Sequence, residues 1–404
     1  MGTVALLLFA AVAIPSTARG GRTPEWLRTY MAEYSAGKLA KAHAMIPAWG
    51  RRYSKNCDAC HYPAPPRLNA EGQRFKWAGY RYPDAIGEKV EVERIQNYVS
   101  LRGRMRYNYA KTQDQPASTS EFAFNDATFF YAGPFEKNYG GFFELEREPS
   151  GEVELVANVV TAWGKENSYG GFRIGQMHWL QRVGLAGFDR PTGVRTPNPV
   201  GGRLTSAVPF SFSPDQLGVE AYYVVGGKNR ISVQVLNGIN TAGGGVGGDA
   251  DKKKDFVVVE QYLIDEAGSG ITAVGYYGSL KALRPAVDST LTSHFWRLGV
   301  SANKIVSNFE ILGSFLYGKD FDLPTGVGAF SASDQKGLGY WFYGGYLFPK
   351  PSLTVFGRYE RVDPNTDLDN DATGRWVLGG VLPVGLPQYL RLALEGAVDV
   401  PQLS

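Results

Sequence analysis

The sequence predicts an all-β fold: a transmembrane antiparallel β-barrel of about sixteen strands, with fourteen as the alternative count, whose lumen is plugged by a small N-terminal module. Three observations carry this. From about residue 92 to the end, apolar and polar residues alternate with a period of two, the signature of strands with one dry and one polar face. The alternating segments commonly run to ten residues or more, against about 5–6 for strands of soluble proteins. Their connections alternate between tight ones, such as Gly226-Gly227-Lys228-Asn229 and Glu266-Ala267-Gly268-Ser269, and long polar ones at 186–205, 241–255, 323–336 and 363–374. Short turns on one side and long loops on the other are the pattern of outer-membrane barrels.

Composition removes the competing classes. The chain has 404 residues, 44% hydrophobic and 20% charged, with 50 glycines and 53 aromatics. That is too apolar for disorder, and the glycines lack the three-residue period of collagen. No apolar run reaches the ~18 residues of a transmembrane helix, and nothing points to a nucleic-acid partner.

Residues 4–14 (VALLLFAAVAI) form an apolar run of signal-peptide length, and Ser16-Thr17-Ala18 resembles a small-residue cleavage site. Residues 1–18 are therefore expected to be a signal peptide, although Met1-Gly2-Thr3 lacks the usual basic residue. A buried N-terminal helix is the competing reading. Export is consistent with a bacterial outer-membrane location.

Residues 19–91 make up the module. They hold the only two cysteines, in Cys57-Asp58-Ala59-Cys60-His61. C-x-x-C-H is the pattern of c-type haem attachment. Two thiols three residues apart reach the two vinyl groups of one haem, and the adjacent His61 approaches the iron as proximal ligand. A structural disulfide is the competing reading. A zinc site lacks its second Cys/His pair, and a thioredoxin-like pair lacks the surrounding β-α-β pattern. One covalent haem c is the expected cofactor, bound by Cys57, Cys60 and His61. Candidates for the sixth ligand are His43 or Met45, on a helical-looking stretch upstream. Met177 is a remote one, and an iron without a sixth protein ligand is the remaining alternative. The prolines at 63, 65 and 66 make the following segment an extended wrap. Arg51, Arg52, Lys55 and Arg67 are candidates to neutralise haem propionates. Trp49, Phe75 and Trp77 are candidates to pack on the macrocycle.

Residues 92–404 make up the barrel. In residues 99–110, Val99, Leu101, Met105, Tyr107 and Tyr109 share one face, and Arg102, Arg104 and Arg106 the other. Val153, Leu155 and Val159 oppose Glu154 and Asn158. Ile231, Val233 and Val235 oppose Ser232 and Gln234, and Leu392 and Leu394 oppose Arg391 and Glu395. Residues 204–212 are a doubtful extra strand. Aromatics gather at segment ends (Phe129-Phe130-Tyr131, Trp163, Tyr276-Tyr277, Tyr340-Trp341-Phe342-Tyr343), as interfacial girdles do. Residues 19–90 carry net charge +7 and residues 91–404 net −4. A basic module beside an acidic barrel is a complementary pair, especially with Glu144, Glu146 and Glu148 facing the lumen.

These residues resemble a family, the outer-membrane fused monohaem cytochrome–porins of iron-oxidising bacteria. The likeness lies in Pro47-Ala48-Trp49-Gly50-Arg51 before the cysteines. After His61 it continues with Pro66, Leu68-Asn69-Ala70, Gly72, Phe75-Lys76 and Gly79-Tyr80. The chain departs from the family at Arg52-Tyr53-Ser54 and at Glu71, an aromatic position there. Over the barrel the likeness is one of pattern. The resemblance implies an electron-transfer protein that passes electrons through its haem between an extracellular donor, Fe(II) in the family, and a periplasmic cytochrome or other carrier. An Fe(II) oxidase activity follows from the same resemblance. The alternative is a transport porin with a haem-bearing plug, its pore lined by Arg102, Arg104 and Arg106. A third reading is a soluble periplasmic haem protein with a large β domain.

Overall fold

The computed structural model describes residues 48–53, 55, 59–61, 67–91, 95–110, 119–147, 151, 153–178, 196–212, 215–238, 252–281, 283, 290–325, 332–349, 353–384 and 390–401. Three short helices lie among them: α1 (Ala48–Tyr53), α2 (Ala70–Trp77) and α3 (Asn198–Gly201). None is long and apolar enough to cross a membrane. Sixteen strands are described. The first eight are β1 (Val99–Ala110), β2 (Thr119–Glu136), β3 (Tyr139–Arg147), β4 (Val153–Thr161), β5 (Trp163–Lys165), β6 (Ser168–Met177), β7 (Gln216–Val225) and β8 (Asn229–Leu236). The rest are β9 (Asp255–Leu263), β10 (Gly270–Lys281), β11 (Thr292–Val306), β12 (Phe309–Phe321), β13 (Gln335–Phe348), β14 (Leu353–Asp363), β15 (Thr373–Val384) and β16 (Leu390–Pro401).

All belong to one antiparallel sheet in which each strand pairs with its neighbours in sequence. The short β5 resumes the line of β4 after Ala162, and both pair with β6, so the two share one position. Fifteen positions therefore run from β1 to β16.

The two faces of the sheet reverse the pattern of a soluble protein. In β8, Ile231 and Val233 are 46% and 51% exposed, while Arg230, Ser232 and Gln234 are at most 2% exposed. In β9, Phe256, Val258 and Tyr262 face outward, while Asp255 and Gln261 are sealed inside together with Val257, Val259 and Leu263. Leu101, Leu392 and Leu394 are likewise exposed. An apolar outer face around polar strands is matched only by lipid, which removes the soluble reading. Val233→Arg on this face is expected to destabilise the sheet by about 2–4 kcal/mol if the site lies near the bilayer midplane. Urea unfolding in vesicles measures this, with an exposed-turn substitution such as Lys228→Arg as the unaffected control.

The predicted connections are present. Strands β7 and β8 close across Val225↔Asn229, and the turn needs Gly226 and Gly227 because both take positive φ, 60° and 63°. Short links at 137–138, 166–167, 226–228, 264–269 and 307–308 mark one end of the sheet. This is the periplasmic end in outer-membrane barrels. Long links mark the other end.

Residues 204–212 are not a strand. Leu204, Thr205, Ala207, Val208, Phe210 and Phe212 are all buried, irrespective of parity, which a two-faced strand in a wall cannot achieve. The segment follows α3 and folds inward to pack on Val257, Val259, Tyr276, Phe295 and Leu316. Arg297 and Asp320 hold it: Arg297 Nη2 donates to Thr205 at 2.7 Å, and Asp320 accepts from the Val208 amide at 2.9 Å. On β7–β14 the inner rows of residues are almost wholly sealed from solvent. The wall of an open aqueous channel would be wet on that side.

Candidate functional site

The described part of the Cys-rich motif is a turn closed against the start of α2. Cys60 and His61 lie in it, whereas Cys57, His43 and Met45 fall outside the described residues. Asn69 organises the turn. Its side-chain amide donates to the Ala59 carbonyl at 2.9 Å and its backbone amide to the Cys60 carbonyl at 3.0 Å. Its Oδ1 accepts from the Gly72 amide at 2.9 Å and caps the helix. Gly72 is required by proximity: a Cβ there would stand 2.3 Å from the Cys60 carbonyl oxygen. The Leu68-Asn69-Ala70 and Gly72 positions that carried the resemblance thus have a local physical reason.

His61 bridges Leu68 through its backbone, and its Nδ1 lies 2.8 Å from the Arg67 carbonyl oxygen. A carbonyl only accepts, so Nδ1 carries the proton, and in the neutral ring Nε2 then holds the lone pair. Metal-ligating histidines are oriented in this way. Among the described residues, no group of three or more His, Cys, Asp or Glu is arranged to hold an ion by itself.

Beside the turn stands an aromatic cluster that links α1, α2 and residues 78–82. Trp49 meets Phe75 edge-on at 5.4 Å and stacks on Tyr80 at 5.8 Å, and Tyr53 meets Phe75 at 5.6 Å and Tyr82 at 4.9 Å. Trp49 and Phe75 come together as expected. Trp77 is buried in the same cluster as Phe75 and Tyr80. It turns to the wall, where it lines a small cavity with Tyr80, Arg173, Glu220, Tyr222 and Arg230. Tyr53 and Tyr82 are members that sequence reasoning missed. Both are amphipathic, and only the tertiary packing shows that their rings are inside. Burial, then the nearby Cys60 and Glu71, raise the Tyr82 phenol far above its ordinary value. Burial pushes Tyr80 up to about 12. The Tyr82 hydroxyl donates to Glu71 at 2.9 Å, and Lys55 pairs with the same carboxylate at 3.4 Å. Glu71, the departure from the family pattern, thus has two local partners.

The remaining bases anchor the module to the short-turn end of the sheet. Arg52 lies over the Tyr98 ring at 4.5 Å. Arg81 donates to the carbonyls of Glu136, Lys137 and Tyr139 around the β2–β3 turn. The Trp49 indole donates to the Ala132 carbonyl at 2.9 Å. Arg67, 5% exposed, pairs with Glu310 of β12 at 2.5 Å. The expected cluster of propionate-neutralising bases is therefore dispersed: Arg52 and Lys55 serve protein partners, and the Arg51 side chain lies outside the described residues. Among these described bases, Arg67 keeps two buried donors in reserve, Nε and Nη1, and Arg52 keeps one, Nη1, none of them with a hydrogen-bond partner.

Arg74 forms a two-pronged bond to Glu266, 2.7 Å at each contact, and its Nε donates to the Gly227 carbonyl at 2.9 Å. One side chain of α2 thereby ties two short turns. The hydrogen bond from Arg74 holds the Glu266 carboxyl below its ordinary range. A depressed carboxyl contributes stability above its unfolded value of about 4.3, and that stability is lost as pH falls through the lower folded value. The pair is half-exposed, so its worth is about 1 kcal/mol or less. Acidification below about pH 4 is expected to speed hydrogen exchange in α2. Arg74→Gln is expected to show the fast rate at neutral pH and no such step.

On the inner wall of β1–β3, Arg102 meets Glu146 at 2.9 Å and Asp126 at 3.4 Å, and Arg104 pairs with Asp126. Glu144 and Glu146, expected to face the basic module across the lumen, pair instead with these arginines of β1, while Glu148 lies outside the described residues. Arg102 and Arg104 of the basic face are thus paired with acids, whereas Arg106 is exposed.

Two solved structures set this architecture beside known folds. OmpT of Vibrio cholerae, an outer-membrane protein, is similar at a TM-score of 0.51 and 14% identity, over 75% of this chain and 88% of that one. OmpF of Salmonella typhi, in complex with daunomycin, is similar at 0.53 and 14%, over 76% and 91%. No protein-family model and no curated protein matches the chain. The likeness shows the fold. With the apolar outer face, it makes the chain an outer-membrane protein in contact with lipid, its antiparallel sheet resembling the barrels of that membrane.

Proposed function

We propose that the protein is an outer-membrane electron conduit, a porin-type barrel whose module plugs the periplasmic mouth and carries one covalently attached haem c. The observation that carries this is the bond from His61 Nδ1 to the Arg67 carbonyl at 2.8 Å, immediately after Cys60. It presents Nε2 as a ligand nitrogen on a fixed ring. The residues fit the group on a second count. The two reserve donors of buried Arg67 suit a carboxylate such as a haem propionate. Cys57 and Cys60 would form the thioethers and His61 would be the proximal ligand. Trp49, Phe75 and Tyr82 would keep water from the site, and burial and hydrogen bonding of this kind are levers on reduction potential. When bound, the haem supplies one-electron chemistry between an extracellular donor and a periplasmic carrier. Resemblance alone suggests Fe(II) as the donor and a cytochrome as the carrier, so the Fe(II) oxidase activity rests on it too. His43 or Met45 as distal ligand is part of the same proposal.

The purified chain tests this. Reduction of its visible spectrum by Fe(II), followed by reoxidation with a periplasmic cytochrome, supports the conduit. A chain with haem bound that exchanges electrons with neither partner sinks it.

A second reading, a transport porin with a haem-bearing plug, is favoured by the likeness to OmpT and OmpF. Against it stands the sealed inner row of β7–β14. Planar-bilayer recording separates the two: a steady open conductance favours the porin, and a closed chain favours the conduit.

A further inference from the structure

We infer that Glu310, on the barrel wall, is a positioning residue for the module's metal ligand and sets its electrostatics through Arg67. The inference rests on the haem reading above and goes beyond it, because it makes the barrel part of the redox site.

Arg67 joins two structures at once. Its carbonyl oxygen takes the proton of His61 Nδ1 at 2.8 Å. Its guanidinium reaches the wall, where Nη2 lies 2.5 Å from Glu310 Oε1, with both side chains about 95% buried. Glu310 is itself held. Asn303 Nδ2 donates to the same Oε1 at 3.3 Å and to the Gly268 carbonyl at 3.2 Å. The Gly268 turn in turn packs on Asn69, the residue that closes the Cys60 turn, at a separation no side chain would fit: a Cβ on Gly268 would meet the Asn69 Cα at 2.8 Å. The line from wall to ligand is therefore Asn303, Glu310, Arg67, His61, and every link is a bond or a close packing.

Two consequences follow from charge. A buried ion pair is nearly neutral at a distance, whereas either partner alone is a full charge in a poorly screening medium. Removing the Glu310 charge leaves an uncompensated cation on Arg67, the residue whose carbonyl holds the ligand, and disfavours the oxidised, more positive centre. Removing the Arg67 charge leaves the Glu310 anion and does the opposite. The carbonyl bond to His61 is made by the backbone and survives both changes.

Redox titration of the full-length, detergent-purified protein tests this, with attachment of haem checked first by mass. In Glu310→Gln, the ratio of reduced to oxidised haem at the wild-type midpoint is expected to rise about tenfold, which is 59 mV for a one-electron couple. In Arg67→Gln it is expected to fall about tenfold, and the double variant is expected to return to within threefold of wild type. Glu310→Asp keeps the charge and covers the case in which Glu310→Gln does not assemble; its expected shift is smaller than threefold. A purely structural role predicts shifts of the same sign in both single variants. That result, or shifts below twofold in both, overturns the inference. Absence of any haem adduct in the wild-type chain overturns the haem reading itself, and the two failures are distinct.

Discussion

Changing Cys57 and Cys60 together to alanine is expected to leave a folded barrel with no covalently bound haem. The loss should be complete, because the chain has no other cysteine to form a thioether. The turn around Cys60 is closed by bonds that the thiols do not make: the Cys60 carbonyl accepts from Asn69, and Asn69 caps α2. The barrel should therefore retain its heat-modifiable migration on gels while haem staining disappears. His61→Ala separates attachment from ligation. It is expected to keep the covalent adduct and lose the low-spin spectrum of a His-ligated haem. A double cysteine variant that still carries haem through denaturation contradicts the assignment.

The second large effect concerns the wall facing Trp77. Glu220 is fully buried and lies 2.9 Å from both Arg173 Nε and Arg230 Nη2, while Gln234 donates to it at 3.2 Å. Glu220→Gln keeps the shape and strips the carboxylate that two buried guanidiniums share. Breaking a buried pair in this way costs about 3–5 kcal/mol, because the remaining charge is uncompensated in a medium that solvates it poorly. Urea unfolding in lipid vesicles is expected to show a loss of that size, with Glu220→Asp losing much less. A loss below about 1 kcal/mol means that water reaches the pair, and the account of a sealed inner wall fails.

Much of the fold was legible because a barrel in lipid writes its faces directly into the sequence. Ile231, Val233 and Val235 stand on alternate positions, and no other fold asks for apolar residues on the outside of a polar wall. The tight turns at 226–228 and 264–269 were legible through their glycines. Residues 204–212 were misread because their apolar residues satisfy a core. The strand rule assumes two different faces, and a segment folded into the lumen has one environment on every side. The count of sixteen was complicated by Ala162, where a single wall position splits into β4 and β5.

At the site, the Cys57–His61 motif stands out because its residues are adjacent in the chain, and Asn69 and Gly72 stood out only through the resemblance. The anchors were not legible. Arg67 finds Glu310 across 243 positions, and Arg74 finds Glu266 across 192. Such pairs carry no local pattern, so Arg52, Lys55 and Arg67 read as one propionate-binding cluster, although Lys55 pairs with Glu71 inside the module and Arg67 reaches the wall.

The proposed function rests on a covalent haem held by His61 inside an outer-membrane barrel. The pyridine haemochrome spectrum of the detergent-extracted, acid–acetone-washed protein, taken with protein concentration, tests it most directly. The expected result is one haem per chain with the spectrum of two thioether links. A folded, membrane-extracted barrel that retains no haem after the wash, from cells competent in cytochrome c maturation, contradicts it.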